Sequence, residues 1–534
     1  MKADKTLFEM LEAAPADKAC FIFDGKITTY GEFRDQVQRV ATGLRALGVQ
    51  RNDIVGLWLP NTLEWMVNAF ACARLGAAAL SLNLRFSGYE VADFISRAKC
   101  KALIYTPAYR GRNFTEELGR MDPQTLASLK AVVSMEAGPA VLEGVAHASY
   151  PELLTTTPSD LAEGQADDAC IILSSSGTTS KPKLIVHSQG RVVRHSYDVA
   201  HTFGIDADDA RVLLGVPMFG AFGYTVALGS LAAGATLVVM ENFEPAAAAD
   251  LFNSERITHS FGTNDMMEKV LDAGGADWRP AALRMYGHAN FTPGLLHLPE
   301  RARQHGVFMR GCFGMSETLA LFGTQPVDAD LERRAQSGGI PIAPGAQVRV
   351  RDVDSGELMA PGEVGEIEVL HPDVMLGYLG DEQATRKAFT DDGFLRTGDL
   401  GYLNEDGGFT HLSRIGDVLR IGGYLVNPLE IEETVLHGLD LPAHQMPKAC
   451  QVVEVEAHGS ARPVAFVTAD EGYVHDEQAI IAACHQKIAK FKVPVRVILV
   501  DEFPTTPSPN GAKVLKNELR KMASEAMAAE GNRA

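Results

Sequence analysis

The sequence predicts an α/β protein: a large N-terminal region of parallel sheets flanked by helices, with a β subdomain, followed by a small C-terminal α/β domain. Three observations predict it. Apolar runs rich in β-branched residues alternate with helical spacings through the first four hundred residues. The texture turns to short strands and Gly-rich turns from about Gly338, and a second α/β alternation begins beyond residue 417. Strand, helix and strand in repetition place helices on largely parallel sheets.

Taken in order, buried strands are expected over 54–59, 102–105, 169–173, 212–216 and 236–240, with helices over 30–47, 62–75 and 88–98 between them. Short strands over 345–353, 365–370 and 408–412 suggest a compact β subdomain that closes the N-terminal region. A boundary is expected near 413–417, dividing the chain into 1–415 and 416–534. Past it come a helix over 429–437, strands near 450–455 and 463–468, a helix over 475–490 and a last helix over 516–529. No internal repeat interrupts this order.

At 534 residues the chain exceeds what one core uses, so at least two domains are expected. Forty-nine basic against sixty-eight acidic side chains give −19, which argues against a nucleic-acid or anionic-membrane partner. Any polyphosphate ligand therefore needs a local site of amides, lysine and a divalent metal. The seven scattered cysteines form no C-x-x-C pair and read as reduced, buried thiols. No run approaches the length of a membrane span and the start lacks a signal peptide's apolar stretch, so a cytoplasmic location is expected.

Four segments carry chemistry. Residues 173–183 (LSSSGTTSKPK) follow a buried strand and gather Ser174, Ser175, Ser176, Gly177, Thr178, Thr179 and Lys183. Glycine permits close backbone approach, hydroxyls and amides donate to anionic oxygen, and lysine adds a compact charge. The Walker spacing is absent. In 311–317 (GCFGMSE), Phe313 is suited to stack on a base, Ser316 to donate to a phosphate and Glu317 to hold Mg²⁺. Asp399, in a Gly turn of 396–402 (RTGDLGY), suits a ribose diol, and Arg414 can reach the sugar or a phosphate. Residues 504–516 (PTTPSPNGAKVLK) read as a stiffened loop presenting Lys513 before a helix, where it can neutralise charge developing on a phosphate. Singly, each is as well explained by a solvated turn or surface ion pair.

Their order resembles the adenylate-forming (AMP-binding) superfamily, in its acyl-CoA synthetase branch. The resemblance runs from Thr29-Tyr30 and Leu75-Gly76-Ala77 through Gly377-Tyr378, Thr397–Asp399 and 427–432 (NPLEIE) to Lys513. It implies an ATP-dependent carboxylic acid–CoA ligase that forms an acyl-adenylate and then a thioester, with ATP, Mg²⁺ and CoA. Lys513, Glu317 and Lys183 are then catalytic, and Glu317 is the metal ligand. The nucleotide is held by Ser174–Thr179, Lys183, Gly287, His288, Ala289, Phe313, Gly314, Met315, Ser316, Asp399 and Arg414. Gly416 is the hinge of a mobile C-terminal domain, Gly422 and Gly423 accept the pantetheine arm of CoA, and a homodimer is allowed.

Several positions depart from the pattern. Ser180 and Leu184 replace glycines, Phe313 lacks the usual tyrosine hydroxyl, and Ala512 separates Gly511 from Lys513. Gly220 stands where a histidine or aromatic usually lines the carboxylate pocket, which suggests a roomier acyl site of Gly220, Phe222 and Asn264, with His288 as a partial substitute. The residues expected around it include no arginine clamp, which favours a hydrophobic monocarboxylic acid (fatty, alicyclic or aryl). Two other readings stay open: a free-standing adenylation enzyme loading a carrier protein, and a catalytically silent nucleotide-binding homologue.

Overall fold

Helix starts follow from local chemistry. Thr29 accepts the Glu32 N–H while the Glu32 carboxylate accepts that of Thr29, opening helix Tyr30–Ala46. The same reciprocal cap opens Gly88–Ala98 with Ser87 and Glu90, and Tyr150–Thr155 with Ser149 and Glu152. Each cap satisfies amides that the first turn leaves unpaired. Helices Leu63–Arg74 and Ala221–Ala232 bury nearly every side chain, as sequences apolar all round must.

The computed structural model describes residues 5–159, 161, 163–174, 182–291, 295–417, 419–421, 424–457, 460–508 and 511–531. Two sheets dominate them. The smaller has eight strands. It runs from Gly377–Tyr378 through Leu184–Ser188, Ala169–Ser174, Ala78–Ser81, Ile54–Trp58 and Ala102–Tyr105 to Ala131–Ser134 and Ala146–Ser149. All its pairs are parallel except the first two. The larger sheet has a parallel centre of Met309–Phe313, Met285–Ala289, His259–Thr263, Arg211–Leu214, Thr236–Val239 and Ala19–Phe23. Both sheets contribute to one apolar cluster, which also includes the helices Leu63–Arg74, Gln189–Thr202 and Ala221–Ala232.

The C-terminal part has its own three-stranded sheet, Ala449–Ala457, Ser460–Thr468 and Arg496–Leu499, with helices Glu477–Lys487 and Lys516–Gly531. Its two apolar clusters draw only on residues from Leu419 onward, whereas the largest N-terminal cluster ends at Phe409. All seven cysteines are buried free thiols. Among the described residues no helix is long and apolar enough to cross a membrane.

Two expectations change and one is extended. The strands after Gly338 form the antiparallel β region expected there, and it is joined to the parallel strands. Met309–Phe313 pairs with Gly323–Thr324, that strand with Gly338–Pro341, and this in turn with Phe409–Arg414, so the hydrogen-bonded sheet is continuous over thirteen strands. The splice is two residues long, too short to leave a period-2 signal. The helix expected over 429–437 is α-helical only at Pro428–Glu433 and widens into a π turn at Thr434–Gly438, a difference that apolar spacing does not register. Finally, 504–516 contains a hairpin of Thr505–Ser508 and Gly511–Val514, so Lys513 lies on a strand and not on a loop.

Candidate active site

Ser174 ends strand Ala169–Ser174, Ala289 ends Met285–Ala289, and Gly314, Met315 and Ser316 follow Met309–Phe313, at the carboxyl ends of parallel strands, where open α/β sheets bind ligands. Strand Ala169–Ser174 ends at Ser174, which pairs antiparallel with Leu184 of the next strand. Ser175, Ser176, Gly177, Thr178 and Thr179 lie outside the described residues. Lys183, at the end of the loop, places Nζ 4.4 Å from the centre of the Tyr378 ring, a cation–π contact.

Strand Met309–Phe313 leads into a tight turn. Gly314 is required there: a Cβ at this position would lie 0.9 Å from the carbonyl oxygen of Ala320. Leu319 and Ala320 follow with φ of +57° and +63°. Consecutive left-handed non-glycine residues cost on the order of 1–3 kcal/mol each and persist only where neighbours over-determine them. The turn carries Glu317, 8% exposed. Its Oε1 accepts a 3.0 Å hydrogen bond from the Tyr378 hydroxyl, and its carbonyl accepts the Met375 N–H at 2.8 Å. Burial, and after it the Glu317 charge, push the Tyr378 phenol well above its usual range, so it remains a neutral donor.

Asp399 and Arg414 face each other across paired strands. Arg414 Nε lies 2.9 Å from Asp399 Oδ1 but off the line of a hydrogen bond, so this oxygen, on a carboxylate 3% exposed, keeps hydrogen-bonding capacity. His411 Nε2 stands 3.7 Å from the same oxygen, and its ring is 5.2 Å from that of Phe313. Phe313 is itself packed edge-on against Phe322 and Phe409. It is 7% exposed.

Strand Met285–Ala289 carries Gly287, His288 and Ala289. Gly287 leaves room for Phe261, whose ring a Cβ there would approach to 2.5 Å. Phe261 in turn packs edge-on to Phe222, 6.5 Å away. Gly220 caps helix Ala221–Ala232, and Asn264, buried, opens helix Asn264–Gly274. His288 is buried, its Nε2 3.1 Å from the Arg334 carbonyl and its Nδ1 3.0 Å from Asn290 Oδ1. Gly416, in a short 3-10 turn, has φ outside the left-handed range and open space around its Cβ position. Its carbonyl accepts a hydrogen bond from Arg520. Gly422 and Gly423 lie outside the described residues, as does the side chain of Lys513, whose backbone pairs with Thr506.

The AMP-binding enzyme family profile matches residues 7–379, and the profile of the AMP-binding enzyme C-terminal domain matches 441–510. The chain belongs to the AMP-binding enzyme family. It is thus a member of the adenylate-forming superfamily. It is 30% identical over 504 residues to a feruloyl-CoA synthase of Amycolatopsis sp, covering 93% of this chain and 94% of that protein. It is 27% identical to the 2-succinylbenzoate–CoA ligase of Listeria innocua, with 96% and 98% covered. Among solved structures, ATP-bound MatB from Rhodopseudomonas palustris is 25% identical and matches with a TM-score of 0.83 over 98% of this chain and 99% of that one.

Tyr378 and His411 stand against the candidate residues Glu317 and Asp399, and sequence reasoning assigned neither of them a role. Tyr378 lay within a quoted motif, but its partner is 61 residues away. His411 had no signal, since only strand pairing brings it beside Asp399.

Several histidines around this site are held neutral. Burial pushes His187 down to about 3, and His195 and His288 to about 4. In the unfolded chain each returns to the ordinary value near 6.5. Their contribution to stability is therefore complete above about pH 6.5 and is lost as pH falls toward their folded values. The loss is about 1.4 kcal/mol per pH unit for each histidine. Thermal unfolding at pH 7.5, 6.5, 5.5 and 4.5 is expected to show a steady melting temperature above 6.5 and a fall of several degrees per unit below. An unchanged melting temperature down to pH 4.5 would contradict the neutral, buried state of these rings.

Proposed function

We propose that this AMP-binding enzyme is an ATP-dependent carboxylic acid–CoA ligase acting on a hydrophobic monocarboxylic acid, fatty, alicyclic or aryl. The observation that carries the reading is the Glu317–Tyr378 hydrogen bond beside Lys183. The CoA-ligase names of the relatives, feruloyl-CoA synthase among them, support the same chemistry.

A carboxylate and a thiol do not condense in water, because hydroxide is a poor leaving group. In the first step a carboxylate oxygen attacks the α-phosphorus of ATP. The P–O bond toward the β-phosphate breaks, and pyrophosphate leaves with its electron pair. In the second the CoA thiolate attacks the acyl carbonyl carbon and AMP departs. Two anions must meet in the first step, so catalysis is positioning and charge neutralisation.

The loop from Ser174 to Lys183 would cradle the phosphates, and Lys183 would neutralise them. Among the described residues no three His, Cys, Asp or Glu side chains cluster as a self-sufficient metal site. One buried carboxylate fits Mg²⁺, which takes one or two protein carboxylates and completes its shell with water and substrate phosphates. Glu317 would hold it, and the ion would supply charge neutralisation at the leaving pyrophosphate. Asp399 would accept the ribose hydroxyls on its unused capacity, with Arg414 beside it. Gly287, the backbone of His288, Ala289, Phe313, Gly314, Met315 and Ser316 would surround the nucleotide. Gly220, Phe222 and Asn264 would line the acyl site, whose neighbours Phe261 and Tyr286 are buried and apolar in character. The functional units would divide into 1–415 and 416–534, turning at Gly416. Lys513 would serve the first step and Gly422-Gly423 the second.

The test incubates the protein with ATP, Mg²⁺ and a panel of carboxylic acids, following pyrophosphate release with and without CoA. Multiple turnover that requires both an acid and CoA is expected. Release that stalls near one equivalent with CoA present would redirect the reading to a carrier-protein acceptor. Tyr378→Phe is expected to raise the Mg²⁺ concentration for half-maximal pyrophosphate release about tenfold, the worth of one hydrogen bond to a charged group. A wild-type Mg²⁺ requirement would remove Tyr378 from the site.

A further inference from the structure

The turn that carries Glu317 is held by a strand–helix unit to which the reaction assigns nothing. His187 belongs to strand Leu184–Ser188 and His195 to helix Gln189–Thr202; both are at most 1% exposed. His187 Nε2 lies 2.8 Å from the carbonyl oxygen of Ser316, and His195 Nε2 lies 3.1 Å from that of Leu319. These carbonyls bracket Glu317, one residue before it and two after. A carbonyl only accepts, so each imidazole donates from Nε2. Burial disfavours a second proton, and Nδ1 of each ring has no hydrogen-bond partner. The Leu319 carbonyl also accepts the Thr225 hydroxyl at 2.7 Å. It belongs to the first of the two left-handed residues, so the strained part of the turn is where the donors converge.

The same unit grips the partner of Glu317. Arg191 donates to the carbonyls of Val374 and Met375 at 2.6 and 3.0 Å, and Arg194 pairs with Asp373 at 2.7 Å. The Leu376 N–H donates to the Val186 carbonyl at 2.7 Å. Residues 186–195 thus fasten both segments that meet in the Glu317–Tyr378 hydrogen bond.

We propose that His187 and His195 are positioning residues for Glu317: as Nε2–H donors they clamp the backbone on either side of it and aim its carboxylate at the metal–nucleotide. The proposal rests on the reading of Glu317 given above. The imidazoles touch no reacting group and act through the turn alone.

The test compares glutamine, asparagine and leucine at each position, because a glutamine amide reaches the Nε2 position, an asparagine amide stops near Nδ1 and leucine only fills space. Two quantities are read: hydrogen exchange of the amides of 315–320 in protein free of metal and nucleotide, and the Mg²⁺ dependence of ATP binding by calorimetry. His187→Leu and His195→Leu are expected to speed exchange in 315–320 about tenfold and to raise the Mg²⁺ requirement about tenfold, while His187→Gln and His195→Gln stay within about threefold of wild type. Where a leucine variant fails to fold, the asparagine variant decides. Positioning predicts that it behaves unlike glutamine, and equal behaviour of the two overturns the proposal. Unchanged exchange in the leucine variants overturns it as well. Fast exchange with a wild-type Mg²⁺ requirement also overturns it, and only that result counts against Glu317 as the metal ligand.

Discussion

Replacing Lys513 by alanine is expected to slow acid-dependent pyrophosphate release by roughly 10²–10³-fold, the typical loss when one preorganised group is removed from developing charge. The first step brings a carboxylate to a polyphosphate on a protein whose own charge is −19, so a single well-placed cation carries unusual weight. Lys513 sits on the Gly511–Val514 strand, paired with Thr506. A strand holds its residues more firmly than the loop expected from the run of prolines and glycine. Transfer from a supplied acyl-adenylate to CoA does not need that cation and is expected to stay within about threefold of wild type. Single-turnover measurements of each step separate the two. Equal losses in both steps, or none in the first, would show that Lys513 does not serve adenylation.

Gly314→Ala is expected to be the most damaging alanine substitution among the described glycines. Its Cβ would have to occupy space 0.9 Å from the Ala320 oxygen and 2.0 Å from the Ala320 carbonyl carbon, and both are backbone atoms. No rotamer change relieves such a clash. The turn from Gly314 to Ala320 must open, and Glu317 moves with it. A destabilisation of several kcal/mol is expected, at the upper end for point substitutions, together with loss of nucleotide binding. Gly416→Ala is the control, since nothing lies within 4 Å of its Cβ position; its melting temperature is expected to match wild type. Thermal unfolding and ATP binding of the two variants check both statements. A Gly314→Ala protein that melts and binds ATP like wild type would mean that the turn has a different shape.

Much of the fold was legible because it is written locally. Apolar spacing placed helix Gly88–Ala98 and strands Ala102–Tyr105 and Gly365–Leu370 at the residues they occupy. The Ser87–Glu90 cap explains why that helix begins where its periodicity does. Legibility failed where the deciding contact is distant or brief. The two-residue strand Gly323–Thr324 joins what looked like separate sheets. The partner of the His288 Nε2, the carbonyl of Arg334, lies 46 residues on. Phe313 was given a stacking face because an aromatic beside a carboxylate suits a nucleotide, and only the folded chain shows how far Phe322 and Phe409 enclose it.

The sequence by itself determined the α/β class, the order of the helices and strands it marked, and the family, because periodicity, capping and the composition of a loop are properties of neighbours along the chain. Only the tertiary structure decided that Glu317 is bound to Tyr378, that His411 approaches Asp399 and that His187 and His195 stand behind the Glu317 turn. These contacts join segments that leave no mutual trace in sequence. Which buried donor meets which carbonyl is settled by packing two sheets onto one core, where every polar group withdrawn from water must find a partner or bear the cost of having none.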